Sequence, residues 1–392
     1  MKPTPETARP ATRLIRSGPA TQDLVQTVGP PVQRGSTVLM PDAASLYDPA
    51  QVTYGRGGLA AQNALTQALC ELEGAVGAQL FPSGIAAVTG AVLAVVKAGD
   101  RVLIADSAYA PTRRFSDKVL KRFGVAVDYF PPRASPEAIL AQGGEDLRLI
   151  VLESPGSLTF ELQDVPAIAA LARERGLLTL IDNTWAAGLL FKPLAHGVDI
   201  SVQALTKYVC GHSDVFMGSA CAGTPAMAQA LGDAVLQLGW AVSPDDAYLA
   251  LRGLRTLPTR MARHGESGLR AAAWLRDQSQ VQAVLHPGLA GDRDHELWRR
   301  DFTGACGLFG VVMRPAPARA VNALLDALSL FGLGFSWGGF ESLAISCDPQ
   351  LGSRLHHDPY PGPLLRLHVG LEDPEDLIED LARGLAAFDA AV

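Results

Sequence analysis

Two short apolar runs, each followed by a polar residue, restrict the fold of this chain more than any other feature. Residues 177–181 form a continuous apolar and β-branched run that ends at Asp182, and residues 199–205 form a second run that leads to Lys207. Runs of this length favour buried parallel strands over buried helices. The segment between them, residues 183–198, is long enough for the crossover that neighbouring parallel strands require.

Asp182 and Lys207 are therefore expected at the carboxyl ends of strands, the edge at which open α/β sheets bind ligands. A carboxylate and an amine presented together suit pyridoxal phosphate (PLP), whose aldehyde needs a lysine for a Schiff base and whose ring nitrogen needs an acidic partner. A protonated ring delocalises the negative charge of a carbanion at the substrate α-carbon. From spacing alone, a surface Asp and a surface Lys explain the pattern equally well, since strand ends are polar anyway.

A second candidate feature is the segment 81–87, with the sequence FPSGIAA, which predicts a strand, a turn and the start of a helix. The unpaired N–H groups of a first helical turn attract anions, so this turn is a candidate phosphate site. Most such turns bind nothing, and the motif by itself does not assign a ligand.

The chain is long enough, at 392 residues, for two domains. Strands alternate with helices through residues 55–245, which indicates βαβ units and a mainly parallel sheet. The expected strands there are 78–81, 101–105, 125–130, 147–152, 177–181 and 199–205, and the expected helices are 60–72, 85–96, 111–123 and 165–175.

The pattern changes after Pro244, where a long helical stretch, residues 245–273, is interrupted by Gly253 and Pro258. Candidate strands follow at 308–313, 343–347 and 364–369, with helices at 318–328 and 374–391. The predicted organisation is an N-terminal extension (1–54, partly flexible), a cofactor domain (55–245) and a smaller α+β domain (246–392).

Composition narrows the class of protein. A net charge of −7 with no block of Lys and Arg argues against nucleic acid or an anionic membrane as a partner. With 48% hydrophobic and 19% charged residues the chain is apolar for a soluble protein, which suggests surface buried in an oligomer. The longest apolar stretch, residues 85–96, is too short to span a bilayer, and the N-terminus lacks the layout of a secretory signal. We therefore expect a cytoplasmic location.

The cysteines and histidines do not suggest a metal site. The cysteines are scattered and odd in number, five in all, with no C-x-x-C pair, so free thiols are expected rather than disulfides or a zinc site. The run His356-His357-Asp358 lacks further convergent ligands in the sequence. No metal is predicted.

Three blocks around the lysine, residues 181–185 (IDNTW), 204–208 (ALTKY) and 211–214 (GHSD), resemble the Cys/Met-metabolism family of PLP enzymes. The resemblance extends from about Gln33 to the C-terminus. It implies fold type I: a large α/β domain of the aspartate aminotransferase type, with a mainly parallel seven-stranded sheet, and a smaller C-terminal α+β domain. It also implies that Lys207 carries PLP and that Asp182 faces the ring nitrogen.

The same resemblance assigns further cofactor contacts. The backbones of Gly84 and Ile85 would hold the cofactor phosphate, and Thr206 would add a hydroxyl, although Ala204 stands where many relatives have a serine. Tyr109 would stack on the pyridine ring, a contact that suits a flat aromatic face. Without the resemblance, a lone loop tyrosine more often caps a core.

The glycine-rich loop that contains Tyr54 and Arg56 would, by the family pattern, reach the cofactor phosphate of a neighbouring subunit. Arg grips phosphate well because its contacts are bidentate, although a solvated loop Arg is the simpler alternative. The pattern implies a two-fold homodimer with shared active sites, paired into a tetramer. Gly57 stands at a position where the β-lyase pattern often has a second arginine.

Ser336, Trp337 and Arg366 resemble the family's substrate-carboxylate site. An Arg inside an apolar strand costs free energy unless it is paired, so either a bound anion or an internal carboxylate is expected beside Arg366. Relatives that act at the γ-carbon usually have leucine at the position of Trp337, and this tryptophan therefore favours the β-lyase branch.

The implied activity is β-elimination of L-cystathionine, an amino-acid substrate, to homocysteine, pyruvate and ammonia in methionine biosynthesis, with cystine and other thioethers as further candidates. Lys207 would take the α-proton, and Lys207 or Tyr109 would protonate the leaving thiolate. The alternatives are a γ-lyase or γ-synthase of the same family, an aminotransferase, or a cofactor-binding regulator without turnover. Trp337 and the absence of Asn-Pro-Thr after the Tyr54 loop argue against γ-chemistry.

Overall fold

The computed structural model describes residues 7–16, 27–48, 50–356 and 360–392. Its larger sheet contains seven strands: β1 (Gly77–Phe81), β2 (Arg101–Ala105), β3 (Ala126–Phe130), β4 (Leu147–Glu153), β5 (Leu178–Asp182), β6 (Ile200–Gln203) and β7 (Gly218–Ala222). Their order is β1-β7-β6-β5-β4-β2-β3. β7 runs antiparallel to both its neighbours, and the other pairs are parallel. The prediction of a mainly parallel seven-stranded sheet is confirmed.

A smaller sheet follows in the C-terminal part of the chain. Its strands are β8 (Val281–Leu285), β9 (Leu308–Met313), β10 (Gly332–Leu333), β11 (Leu343–Ser346) and β12 (Leu364–His368). They lie in the order β10-β11-β12-β9-β8, and only the short β10–β11 pair is parallel. The predicted smaller α+β unit is therefore present, while the domain boundaries at residues 54 and 245 stay predictions.

Helices cover both sheets. They are α1 (Pro10–Arg16), α2 (Ala60–Glu73), α3 (Gly84–Leu93), α4 (Ala110–Phe115), α5 (Pro136–Ala141), α6 (Val165–Glu174), α7 (Pro225–Leu238), α8 (Pro244–Arg255), α9 (Leu257–Arg276), α10 (His295–Asp301), α11 (Ala318–Ala327), α12 (Asp348–Leu351) and α13 (Pro374–Ala391). No helix in the described ranges is both long and apolar enough to cross a membrane.

Local sequence signals explain where many of these helices begin. The side chains of Ser83, Asp164 and Thr224 accept hydrogen bonds from backbone N–H groups in the first turns of α3, α6 and α7. Such caps satisfy donors that have no partner within the helix. Proline at the start of α6 and α7 adds a backbone already suited to the first turn.

Several elements differ from the expectation. The helix expected at 111–123 divides into α4, a π-helical turn at Ser116–Leu120 and a 3-10 turn at Lys121–Phe123. Strand β7 and helix α7 were not anticipated. β7 has the sequence GSACA, whose small residues give little strand signal. Its first residue must be glycine, because a Cβ on Gly218 would lie 2.4 Å from the Ser83 carbonyl oxygen. In the N-terminal extension the structure places α1, and the predicted flexibility concerns residues that lie partly outside the described ranges.

The hydrophobic core lies on both faces of the larger sheet. Ile181 faces one apolar cluster and its neighbour Leu180 faces the other. Successive side chains of a strand point to opposite faces, so β5 is buried on both sides. Full burial of each such side chain stabilises the fold by about 1.5–3 kcal/mol, which fixes the position of Asp182 at the strand end.

Candidate active site

The carboxyl ends of β4 and β5, the turns after β1 and β6, and a segment before β12 enclose a cavity of about 520 Å³. Nine of the eleven site residues expected from the sequence line it. These nine are Gly84, Ile85, Tyr109, Asp182, Thr206, Lys207, Ser336, Trp337 and Arg366.

Asp182, the last residue of β5, is held in place by Thr184. The backbone N–H of Thr184 donates to Asp182 Oδ1 over 3.0 Å, and its hydroxyl donates to the same oxygen. The Thr184 hydroxyl also accepts a 2.9 Å hydrogen bond from the backbone N–H of Ala204, which ties the ends of β5 and β6 together. Burial raises the pKa of Asp182, and the Thr184 bonds and the charge of Lys207 oppose that rise. Both donors bind Oδ1, which leaves Oδ2 for a donor in the cavity.

Lys207 lies after β6, with its amine in the cavity. Its Nζ donates to Ser336 Oγ over 2.8 Å and lies 5.3 Å from the centre of the Trp337 ring. Burial, followed by the charge of Arg366, lowers the pKa of Lys207 to about 8, against the opposing charge of Asp182. A substantial fraction of the amine is therefore neutral near physiological pH, as a general base requires.

The turn between β1 and α3 presents an anion-binding helix start. Gly84 is the first residue of α3, and a Cβ there would lie 2.4 Å from the Cβ of Ala204. Only glycine lets the helix come this close to the end of β6. The first-turn N–H groups of Gly84 and Ile85 have no acceptor within the helix and carry its positive dipole end.

Thr206 lines the cavity, but its hydroxyl is already engaged. It donates to the backbone oxygen of Met217 over 3.2 Å and accepts from the N–H of the same residue over 3.0 Å. The phosphate contact expected for Thr206 would have to replace the bond to the Met217 oxygen.

Tyr109 is 46% exposed and stands at the cavity wall. Its backbone N–H donates to Glu153 Oε2 over 2.6 Å. Burial and the nearby carboxylates Glu153 and Asp182 raise the pKa of the phenol, so it stays protonated and able to give a proton. Burial, followed by the charge of Asp182, raises the pKa of Glu153 well above its usual range.

Arg366 projects from β12, is 7% exposed and has no carboxylate partner in the part of the chain that the structure describes. Its Nη2 donates to the backbone oxygens of Phe335 (2.9 Å) and Ser336 (3.0 Å). Burial lowers the pKa of the guanidinium. Of the two partners that the sequence left open, this arrangement favours a bound anion.

The sequence profile of the Cys/Met metabolism PLP-dependent enzyme family matches residues 11–386. The chain belongs to this family. PLP is therefore the cofactor, as predicted from Asp182 and Lys207. The predicted fold class, fold type I, is confirmed as well.

Individual members of the family are similar to this chain over nearly its full length. A protein of Rhizobium johnstonii, provisionally named cystathionine β-lyase, is 46% identical over 97% of this chain and 96% of its own. The cystathionine β-lyase MetC of Escherichia coli K12 is 40% identical over 96% of this chain and 98% of its own. The crystal structure of metB from Corynebacterium glutamicum superposes with a TM-score of 0.91 at 29% identity and covers 98% of this chain and 99% of that one.

The residues present in this family member fit PLP. The start of α3 suits a phosphate, the open oxygen of the buried Asp182 suits a protonated ring nitrogen, and the Lys207 amine lies in the same cavity. The aromatic ring of Tyr109 at the cavity wall suits a stacking contact.

Tyr54 and Arg56 do not line the cavity of their own chain. Their loop is fixed to the extension by a bridge between Thr37 and Tyr54 and by a 2.7 Å bond from the Gly55 N–H to Ser36 O. The Arg56 guanidinium lies 5.3 Å from the centre of the Tyr54 ring, and Tyr54 is 49% exposed. The role predicted for this pair in a neighbouring subunit stays a prediction.

Two contributors to the site were missed at the level of sequence. Thr184 belongs to the block IDNTW, and its position two residues after the aspartate is a usable signal because Asp side chains often bond backbone two residues on. Glu153 directly follows the strand expected at 147–152, and its burial beside Asp182 depends on the sheet order. His357 and Asp358 lie outside the described residues.

Proposed function

We propose that this chain is a PLP-dependent carbon–sulfur β-lyase that cleaves L-cystathionine to homocysteine, pyruvate and ammonia, and so serves methionine biosynthesis in the cytoplasm. The observation that carries the proposal is the 2.8 Å hydrogen bond from Lys207 Nζ to Ser336 Oγ. It joins the cofactor side of the cavity to the side on which Arg366 is free to bind a carboxylate. The names of the relatives from Rhizobium and Escherichia coli support the substrate.

Each residue of the cavity has a defined task in this reaction. Arg366 binds the substrate carboxylate and thereby orients the α-carbon towards Lys207. Bound PLP supplies the electron sink for the negative charge that develops on that carbon. Asp182 holds a proton on the ring nitrogen, and Thr184 fixes its orientation. The Lys207 amine, with its pKa lowered to about 8, takes the α-proton.

The leaving sulfur needs a proton when the carbon–sulfur bond breaks, because the bonding electrons pass to sulfur as a thiolate. Lys207 holds the proton that it has just taken, and Tyr109 carries a phenol whose raised pKa keeps it protonated. Either group returns a proton from within the cavity, so no external acid is required.

Product analysis tests this proposal directly. The protein is incubated with L-cystathionine, and the products are separated. Homocysteine with pyruvate is the expected result. Cysteine with 2-oxobutyrate would replace β-elimination with γ-elimination, dependence on a 2-oxo acid would indicate an aminotransferase, and cofactor binding without any product would indicate a regulator.

The proposal includes an assembly in which each active site is completed by a second copy of the chain. Residues 1–54 form the extension, 55–245 the PLP-binding domain and 246–392 the substrate-side domain, and a two-fold dimer pairs into a tetramer. Tyr54 and Arg56 lie outside their own cavity, which supports a role at the cofactor phosphate of the neighbour.

Subunit mixing tests the shared site. Lys207→Ala and Arg56→Ala oligomers should each be impaired, whereas a mixed pair holds one site with both defects and one with neither, so mixing should restore activity. Each variant mixed with itself is the control, and mass measurement confirms exchange. A mixture no more active than the average of its parents would place Arg56 beside its own Lys207 and remove the shared site.

A further inference from the structure

Five cationic side chains line the cavity. Besides Lys207 and Arg366, three further arginines lie along its wall: Arg113, Arg114 and Arg354. Glu153 and Asp182 are the carboxylates on the same wall, and both sit at strand ends deep in the site. An arginine at the opening that has no partner within the described part of the chain would attract an additional negative group on a substrate.

Two of the three extra arginines are committed to the fold. Arg113 is buried and forms an ion pair with the buried Asp106, and it also donates to the backbone oxygen of Ser353 over 2.6 Å. Arg354 donates to the backbone oxygen of Ser157 and to the hydroxyl of Thr159. These contacts fasten the segment around residue 353 to the larger sheet, and they leave little capacity for a ligand.

Arg114 differs from both. It lies in α4 and is exposed, and its side chain makes no hydrogen bond or ion pair with another residue of the described ranges. Its charge and that of Arg366 both act on the phenol of Tyr109, where they oppose the rise in its pKa. The two guanidinium groups therefore stand near Tyr109, one deep in the cavity and one at its opening.

A thioether such as L-cystathionine carries two carboxylates, one on each side of the sulfur. Arg366 accounts for the carboxylate on the half that is cleaved to pyruvate. We propose that Arg114 binds the carboxylate on the other half, the half that leaves as a thiol, and so makes the enzyme selective for dicarboxylate thioethers. This inference rests on the proposed β-lyase function and names the residue that chooses among its substrates.

The test compares L-cystathionine with S-ethyl-L-cysteine, a thioether that lacks the second carboxylate. For Arg114→Ala, the ratio of kcat/KM for cystathionine to kcat/KM for S-ethyl-cysteine should fall about 10-fold, mainly through KM for cystathionine, because one charge-assisted contact is lost. Arg114→Lys should recover part of the ratio. Arg122→Ala, an exposed arginine outside the cavity lining, should leave the ratio unchanged.

Ionic strength gives a second measurement that a structural role would not affect. KM for cystathionine should rise with added salt in the wild type and rise less in Arg114→Ala, since screening acts on the exposed pair. Loss of one contact should change the ratio of the two kcat/KM values about 10-fold. If the ratio for Arg114→Ala stays within about 2-fold of the wild-type ratio, the inference is overturned and the β-lyase proposal still stands. A wild type that releases pyruvate from neither thioether overturns both.

Discussion

The active-site cavity has two walls that are built in different ways. The cofactor wall consists of Asp182, Thr184 and Lys207 at the edge of the seven-stranded sheet, and the substrate wall consists of Ser336, Trp337 and Arg366 beside the five-stranded sheet. On the cofactor wall the decisive bonds join neighbours in sequence, as between Asp182 and Thr184. On the substrate wall Arg366 binds carbonyl oxygens some thirty residues away, at Phe335 (separation 31) and Ser336 (separation 30).

In the proposed reaction, the two walls have separate tasks. The cofactor wall carries groups that exchange or hold protons, while the substrate wall presents a fixed positive charge. They meet at the Lys207 amine, which donates to Ser336 and whose pKa is lowered by the charge of Arg366. A change on one wall should therefore affect chemistry or binding selectively, and a change at the meeting point should affect both.

The largest effect is expected at Lys207. Lys207→Ala should reduce kcat by about 10⁴-fold, because the variant loses the group that takes and returns the α-proton. Borohydride reduction of the wild type should abolish its visible absorption and place the cofactor on Lys207 in a peptide map. The exposed Lys97 serves as control, and Lys97→Ala should retain full activity. Label on Lys97 or Lys192 would mean that the cofactor wall is misassigned.

Removal of the positive charge on the substrate wall should have the next largest effect. Arg366→Ala should lower kcat/KM by a factor that corresponds to a loss of about 2 to 5 kcal/mol in transition-state stabilisation, while PLP stays bound. The variant loses the buried charge that binds the substrate carboxylate. Steady-state kinetics and the cofactor absorption spectrum measure the two properties separately. Arg319→Ala, an arginine at the exposed end of α11, is the control. Unchanged kinetics in Arg366→Ala would take this residue out of the site.

A smaller loss is expected when Asp182 loses one of its two donors. Thr184→Val should reduce kcat about 10-fold, or ~1.4 kcal/mol, because the hydroxyl bond to a charged group disappears while the backbone N–H bond stays. Thr184→Ser keeps the hydroxyl and should behave like the wild type. Equal losses in the two variants would show that shape, rather than the hydrogen bond, supports the cofactor wall.

The smallest effect concerns the coupling between the walls. In cofactor-free protein, acylation of Lys207 followed by mass spectrometry should show a midpoint near pH 8, because the neutral amine reacts and its pKa is lowered to about 8. In Arg366→Ala the midpoint should move to higher pH, since one cause of the lowering is removed. It should stay below the usual pKa of a lysine side chain, because burial still disfavours the charged amine. An unchanged midpoint would show that the walls act independently.

The sequence by itself determined the features that depend on neighbouring residues. The apolar runs before Asp182 and Lys207 predicted the strand ends, the caps at Ser83 and Asp164 follow from local hydrogen bonding, and the turn at Gly84 indicated the anion site. Two strands that are each buried on both faces leave their polar ends few positions other than the sheet edge. The placement of Asp182 and Lys207 at one edge of the sheet was therefore predictable from the sequence, whereas the contribution of Thr184 was not predicted.

Only the tertiary structure decided how distant segments meet. Lys207 and Ser336 are 129 residues apart in sequence and bond directly, and no local rule fixes that contact. Strand β7 pairs with β1 and β6 on either side, although its own sequence has little strand propensity. The raised pKa of Glu153 and the exposed guanidinium of Arg114 likewise depend on which side chains surround them. The burial of a side chain and the charge around it depend on all the segments that pack against it. These segments come together only when the chain folds.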